Sequence, residues 1–142
     1  MKNDTVIIDV RFNAPVTQLW QAWTDPELIL QWFGSDPLGK GISAELNVEA
    51  GKNYRITFSN SDGAQHTCFG TYQTVIKPSK LVFSWNWVSE PGVTSTVTVD
   101  FKEQRGQTLM RFEHAGIGTA SAHDYIPGWQ STFEKLRKVV EG

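Results

Sequence analysis

His114 ends a stretch, Thr108-Leu109-Met110-Arg111-Phe112-Glu113-His114, in which charged and apolar side chains alternate. Successive side chains of a strand face opposite ways, so Arg111 and Glu113 share one side while Met110, Phe112 and His114 point inward. An inward imidazole, whose ordinary pKa lies nearest neutrality, can act as general acid or base or donate to a ligand carbonyl. Its place at the strand end, just before Ala115-Gly116, favours a bond to a backbone carbonyl instead. Tyr54 poses the same choice, so His114 and Tyr54 are the catalytic candidates. His66 and His123 fall beside turn or helix-start positions and read as solvated. Asp100, Glu103 and Glu113 read as facing solvent.

The aromatic partners of these groups lie in Lys80-Leu81-Val82-Phe83-Ser84-Trp85-Asn86-Trp87. Leu81, Phe83, Trp85 and Trp87 fall on one side of a strand and make a stiff apolar wall. The same parity gives an inner set of Tyr54, Ile56, Phe58, Phe83, Trp85, Trp87, Val97, Val99, Met110, Phe112 and His114, faced by Trp129 and Phe133. Apolar walls with a few fixed polar atoms suit a small-molecule pocket of roughly hundreds of Å3. The same rings can equally fill a core. The ligand-binding candidates are Tyr54, Phe58, Phe83, Trp85, Trp87, Met110, Phe112, His114, Trp129 and Phe133.

Other chemistries lack their motifs. There is no Gly-x-Ser-x-Gly elbow and no Gly-x-Gly-x-x-Gly, and Gly39-Lys40-Gly41 lacks the spacing of a phosphate loop. Three histidines and one cysteine stand at scattered positions without metal-ligand spacing, so neither metal nor cofactor is expected. Six tryptophans suggest base-stacking platforms, but a formal net charge of −2 and scattered basic residues supply no groove for nucleic acid. The densest basic group, Lys135, Arg137 and Lys138, reads as a solvated helix end. Cys68 reads as a small strand hydrophobe.

The elements that must position these residues follow from periodicity. The chain has 142 residues, 39% hydrophobic and 20% charged, which suits one domain over residues 1–142. Val6, Ile8, Val10 and Phe12 alternate as a first strand. Val16, Leu19, Trp20 and Trp23 form the stripe of a short helix whose first turn suits Pro15. Asp25-Pro26-Glu27 opens a second short helix, capped by Asp25 and closed by Gly34 after Trp32 and Phe33. From Gly41 the period is two: Ile42, Ala44, Leu46 and Val48 share a face, and Tyr54, Ile56 and Phe58 share the next. Turns at Asn60-Ser61-Asp62-Gly63, Pro78-Ser79, Glu90-Pro91-Gly92 and Arg105-Gly106 separate strands over His66 to Ile76, the aromatic strand, Val93 to Phe101 and Gln107 to His114. A long helix follows, with Ile126, Trp129, Phe133, Leu136 and Val140 on its apolar stripe and Pro127 in its first turn. Strands joined by tight turns imply an antiparallel sheet, which the long helix covers. No signal core or membrane-length apolar run occurs, and the cytoplasm is the expected location.

Taken in order, Thr24-Asp25-Pro26-Glu27-Leu28 with Trp32-Phe33, Gly70-x-Tyr72, Leu81-Val82-Phe83-Ser84-Trp85, Ser95-x-Val97-Thr98-Val99, His114-Ala115-Gly116 and Gly128-Trp129 resemble the domain family related to the activator of the Hsp90 ATPase. That family belongs to the START-like (Bet v 1-like, helix-grip) superfamily, and the resemblance runs from about Val6 to Val140. It implies an α+β fold: a curved antiparallel sheet wrapped around a long C-terminal helix, with two short helices after the first strand. It also implies an apolar cavity between sheet and helix. The superfamily includes lipid carriers, cyclases, hydrolases and co-chaperone domains, so the resemblance leaves function open. Three readings stand: binding of a small apolar or aromatic molecule, with no cofactor; cofactor-independent catalysis in the same cavity, by His114 and Tyr54; and interaction with Hsp90. The outer sheet face, with Thr94, Thr96 and Thr98, offers a surface for a homodimer.

Overall fold

A computed structural model describes residues 5–117 and 125–142, so His123 lies outside the described residues. In chain order the elements are β1 (Val6–Phe12), α1 (Val16–Thr24), α2 (Pro26–Ile29), β2 (Lys40–Leu46), β3 (Asn53–Ser59), β4 (Gln65–Ile76), β5 (Lys80–Trp87), β6 (Thr94–Gln104), β7 (Gln107–Ala115) and α3 (Tyr125–Glu141). The strands form one curled antiparallel sheet in the order β1-β7-β6-β5-β4-β3-β2. β1 and β2 thus lie at opposite edges, and α1 and α2 carry the chain from one to the other. The architecture is the expected helix-grip arrangement.

Register sets the inner face. Phe83 lies opposite Val97, Val97 opposite His114, and Val99 opposite Phe112, so alternation in three neighbouring strands adds up to one wall. All thirteen residues of the expected inner set are buried. β2 departs from its simple alternation. A bulge between Gly41 and Ser43 shifts the register, and Ile42 is exposed rather than inward.

The short helices are pinned from outside themselves. Pro15 has no side chain able to cap α1, and Glu103 of β6 instead accepts from the Val16 N–H at 2.7 Å. Glu103 is therefore exposed, as expected, yet engaged. Asp25 caps α2 by accepting from Glu27 N–H at 2.9 Å. The turn that follows ends at Gly34, where φ is +114° and a Cβ would meet the Phe58 ring at 2.9 Å. A side chain there would be strained in backbone and in space.

α3 lies in the curl of the sheet. Its buried residues are Trp129, Thr132, Phe133 and Leu136. Trp129 and Phe133 both pack on Phe112, at centroid distances of 4.4 and 5.0 Å. Ile126, expected on the same stripe, is exposed. The first turn presents Tyr125 and Gly128 to the interior instead, about 100° or more around the helix from Ile126. The basic end of α3 is not simply solvated. The Arg137 guanidinium lies 5.2 Å over the Phe12 ring and donates to Arg11 O at 3.1 Å and to Glu141 at 2.7 Å. Lys135 Nζ donates to Asp36 O at 2.9 Å. Among the described residues, no helix is long and apolar enough to cross a membrane.

Candidate functional site

One cleft opens between the segment after α2, the strands β3–β5 and the start of α3. Phe33, Gly34 and Ser35 form one wall, Phe58, His66, Trp85 and Trp87 the second, and Tyr125, Gly128, Trp129 and Thr132 the third. Its volume is about 100 Å3, open at the mouth. The sequence suggested hundreds. The difference arises because most inner rings pack on one another and leave no space.

Five rings of the lining form a closed circuit. Phe33 meets Phe58 at 5.6 Å, Phe58 meets Trp87 at 6.0 Å, Trp87 meets Trp85 at 5.2 Å, Trp85 meets Trp129 at 5.3 Å, and Trp129 returns to Phe33 at 6.1 Å. Successive planes cross at 64–84°. This edge-to-face geometry matches negative ring faces with positive edges. Where ring meets ring directly, no room remains; the cleft is the space these rings bound together with Ser35, His66, Tyr125, Gly128 and Thr132.

Polar groups near the cleft divide into engaged and open. Trp87 Nε1 donates to Tyr125 Oη at 2.8 Å and ties β5 to α3 at the rim. Thr132 Oγ1 donates back to Gly128 O at 2.7 Å. Trp85 is 3% exposed, and its Nε1 is buried with no acceptor among the described residues. Among the described residues, no Asp, Glu, Lys or Arg side chain lines the cleft.

Asp36 fastens the three walls. Its Oδ2 accepts from Ser61 N and Ser61 Oγ, both at 2.8 Å, and its Oδ1 accepts from Leu38 N at 2.9 Å. Its carbonyl accepts from Lys135 of α3. One residue thus joins the segment carrying Phe33 to the β3–β4 hairpin and to the helix. The backbone N–H of Ser61, then that of Leu38 and the Ser61 hydroxyl, hold the Asp36 carboxyl below its ordinary pKa. Burial pushes the Lys135 ammonium down, partly opposed by Asp36.

His114 lies beneath the cleft and does not line it. It is fully buried. Trp129 Nε1, which can only donate, gives its proton to His114 Nδ1 at 3.1 Å, so Nε2 carries the imidazole hydrogen. Nε2 then donates to Ser95 Oγ at 2.7 Å, and Ser95 donates onward to Trp85 O at 3.4 Å. Burial lowers the pKa of His114 from 6.5 to about 3. Tyr54 also lies away from the cleft. Its hydroxyl donates to Ser84 O at 2.6 Å, and burial raises its pKa well above 10.

Of the ten ligand-binding candidates, Phe58, Trp85, Trp87 and Trp129 line the cleft. Tyr54 and Phe83 border a gap of about 10 Å3 deeper in the core, Tyr54 also borders a separate depression of about 420 Å3, and Met110, Phe112, His114 and Phe133 are packed in the buried interior. Residues that sequence reasoning missed complete the walls. His66 is half-buried and lines the cleft, with Asn60 Nδ2 donating to its Nε2 at 3.1 Å, instead of standing in solvent. Parity could have found it, since His66, Cys68, Gly70 and Tyr72 alternate on the inward side. Phe33, Ser35 and Gly128 carried no such signal. A second depression, of about 420 Å3, lies on the outer sheet face among polar residues including Asn47, Asn53, Arg55 and Thr71, and shares no residue with the cleft. Among the described residues, no group of His, Cys, Asp and Glu is placed to hold a metal ion.

Comparison with known proteins agrees with this architecture. A family model described as activator of Hsp90 ATPase homolog 1-like protein matches residues 13–141. No curated protein matches the sequence. A solved protein from Chromobacterium violaceum has a TM-score of 0.84 at 19% identity, covering 98% of each chain. The AHSA1-like protein from Aeromonas hydrophila has a TM-score of 0.79 at 20% identity, over 96% of this chain and 92% of that one. A protein in the dynemicin biosynthetic locus has a TM-score of 0.80 at 21% identity, over 99% of this chain but 48% of that one. At these identities the likeness is one of fold.

Proposed function

The chain belongs to the family of activator of Hsp90 ATPase homolog 1-like proteins, and we propose that it binds a small apolar or aromatic molecule in the cleft between the sheet and α3. The circuit of five rings around an opening to solvent carries this reading. A filled core would leave no open space of about 100 Å3 lined by these rings together with Ser35, His66 and Gly128. Desolvating an apolar ligand against such walls supplies the driving force, and the few polar atoms set its orientation.

Binding fits the geometry better than turnover at His114 or Tyr54. Both side chains are buried, hydrogen-bonded within the protein and absent from the cleft lining. A general acid or base must reach the proton it moves, and neither of these can without breaking its own bonds.

Thermal-shift and tryptophan-fluorescence titration of the wild type and of Gly128→Leu tests the reading. Among the described residues a Cβ at Gly128 meets only Ser35 Cβ, at 3.5 Å, so a side chain is admitted there and the added leucine occupies the cleft that Gly128 lines. Ligand at 100 times its Kd should stabilise the wild type by about 2.7 kcal/mol and leave Gly128→Leu unmoved. Equal responses from both proteins, or none from either across aromatic and aliphatic panels, would count against the cleft.

A further inference from the structure

We propose that the depression on the outer face of the sheet, which shares no residue with the cleft, is a second site and takes a neutral mono- or disaccharide, with the exposed Phe69 ring as its platform.

Register builds this site. Glu45 of β2 lies opposite Arg55 of β3, Arg55 opposite Phe69 of β4, and Phe69 opposite Asn86 of β5. Four neighbouring strands thus put these side chains in one row, about 5 Å apart from strand to strand. A second row runs alongside. Asn47 N donates to Asn53 O at 3.2 Å, Asn53 lies opposite Thr71, and Thr71 N donates to Ser84 Oγ at 2.9 Å. On β3, β4 and β5 both rows alternate with buried Tyr54, Cys68 and Trp85, so they face away from the core. Thr71 and Ser84 are short beside Arg55, Phe69 and Asn86, which leaves a hollow of about 420 Å3. That volume falls in the range of small-molecule sites. Its floor is closed: a Cβ at Gly70 would collide with Ser84 O, and the Tyr54 hydroxyl donates to that same carbonyl at 2.6 Å.

Hydrogen-bonding capacity names the class. Asn53 Oδ1 accepts from Thr71 Oγ1 at 3.0 Å, which leaves the Asn53 amide nitrogen to donate. Asn86 Nδ2 donates to Val93 O at 3.3 Å and to Thr94 Oγ1 at 2.7 Å, which leaves Asn86 Oδ1 to accept. Among the described residues, Glu45 and Arg55 form no ion pair despite their register, so a carboxylate acceptor and a guanidinium donor are open as well. A ligand that meets this mixture donates and accepts all round its rim, as sugar hydroxyls do. The C–H face of a pyranose suits Phe69, which is 37% exposed and whose ring face carries partial negative charge. Charge and polarity select against the rivals. One carboxylate beside one guanidinium leaves no net charge to hold a phosphate or a nucleotide. An apolar ligand would strip water from the amides and return no hydrogen bond.

The test is a 1H–15N titration with glucose, maltose, cellobiose, lactose and N,N′-diacetylchitobiose, with adenosine monophosphate as the charged comparison. At least one sugar should give saturable shifts of the Arg55, Phe69 and Thr71 amides and of the Asn53 and Asn86 side-chain amides. The Trp87 and Trp129 indole signals of the cleft should stay still, so the result is separate from that of the cleft reading. Phe69→Thr keeps a strand former at an exposed position and should weaken that sugar about tenfold. Arg55→Gln should weaken it severalfold. No saturable shift from any of these sugars, shifts confined to the cleft, or tighter binding of adenosine monophosphate overturns the proposal. Unchanged affinity in Phe69→Thr overturns the platform. If Phe69→Thr fails to fold, the wild-type protein decides: the bound sugar should show nuclear Overhauser effects from its C–H protons to the Phe69 ring, and a bound sugar without them overturns the assignment.

Discussion

Trp129 of α3 donates its indole proton to Nδ1 of His114 on β7, 3.1 Å away. The bond fixes the neutral tautomer of a fully buried imidazole and pins the helix to the sheet directly under the cleft. The histidine that most resembled a catalytic base in the sequence is thereby a structural link between the two layers.

Stability should depend on pH through His114. Its pKa falls from 6.5 to about 3 on burial, so between those values the unfolded chain binds a proton that the folded chain does not. The contribution is complete above the unfolded value and is lost as pH drops through this window, by about 1.4 kcal/mol per pH unit. Urea denaturation at pH 6.5 and pH 5 should differ by about 1.5 kcal/mol more in the wild type than in His114→Gln, whose amide can make both bonds without titrating. Equal pH dependence in the two proteins would contradict this.

Two glycines should respond in opposite senses to alanine. Gly128 lies in α3, where among the described residues only an ordinary contact awaits a Cβ, so Gly128→Ala should gain about 0.5–1 kcal/mol from helix propensity. Gly34 has a φ of +114° and the Phe58 ring at 2.9 Å, so Gly34→Ala should lose about 1–3 kcal/mol. Chemical denaturation of both variants measures the contrast.

Asp36→Ala should loosen the rim without unfolding the sheet. It removes the acceptor for Ser61 N–H, Ser61 Oγ and Leu38 N–H. Hydrogen exchange at the Ser61 and Leu38 amides should quicken, and bound ligand should dissociate severalfold faster. Unchanged exchange at both amides would mean that the segment is held by other contacts.

Tyr54→Phe should cost about 1–2 kcal/mol, because Ser84 O loses a buried donor. Ligand affinity should stay as in the wild type, since the hydroxyl lies outside the cleft. A loss of affinity at unchanged stability would place Tyr54 in the site.

The sequence made the layers legible and the cleft only in part. Alternation in β5, β6 and β7 gave the inner wall because register keeps parity across neighbouring strands. Ile42 escaped that logic because one bulge inverts parity locally. Ile126 fits the helical stripe, yet the interior side of the first turn is the one that carries Tyr125 and Gly128. Parity assigns Phe83 and Trp85 to the same face but cannot say which of them borders empty space. That depends on how closely rings from different elements approach. Phe33 and Ser35 enter through a segment with no periodicity, held in place by Asp36.

The most direct test of the account is the indole region of a 1H–15N spectrum during titration with acetophenone. Trp85, Trp87 and Trp129 line the cleft, while Trp20 and Trp32 are buried elsewhere. The account predicts saturable shifts of the Trp85, Trp87 and Trp129 indole signals, with Trp20 and Trp32 nearly still. Shifts confined to Trp20 and Trp32, or no saturable shift in any indole, would contradict it.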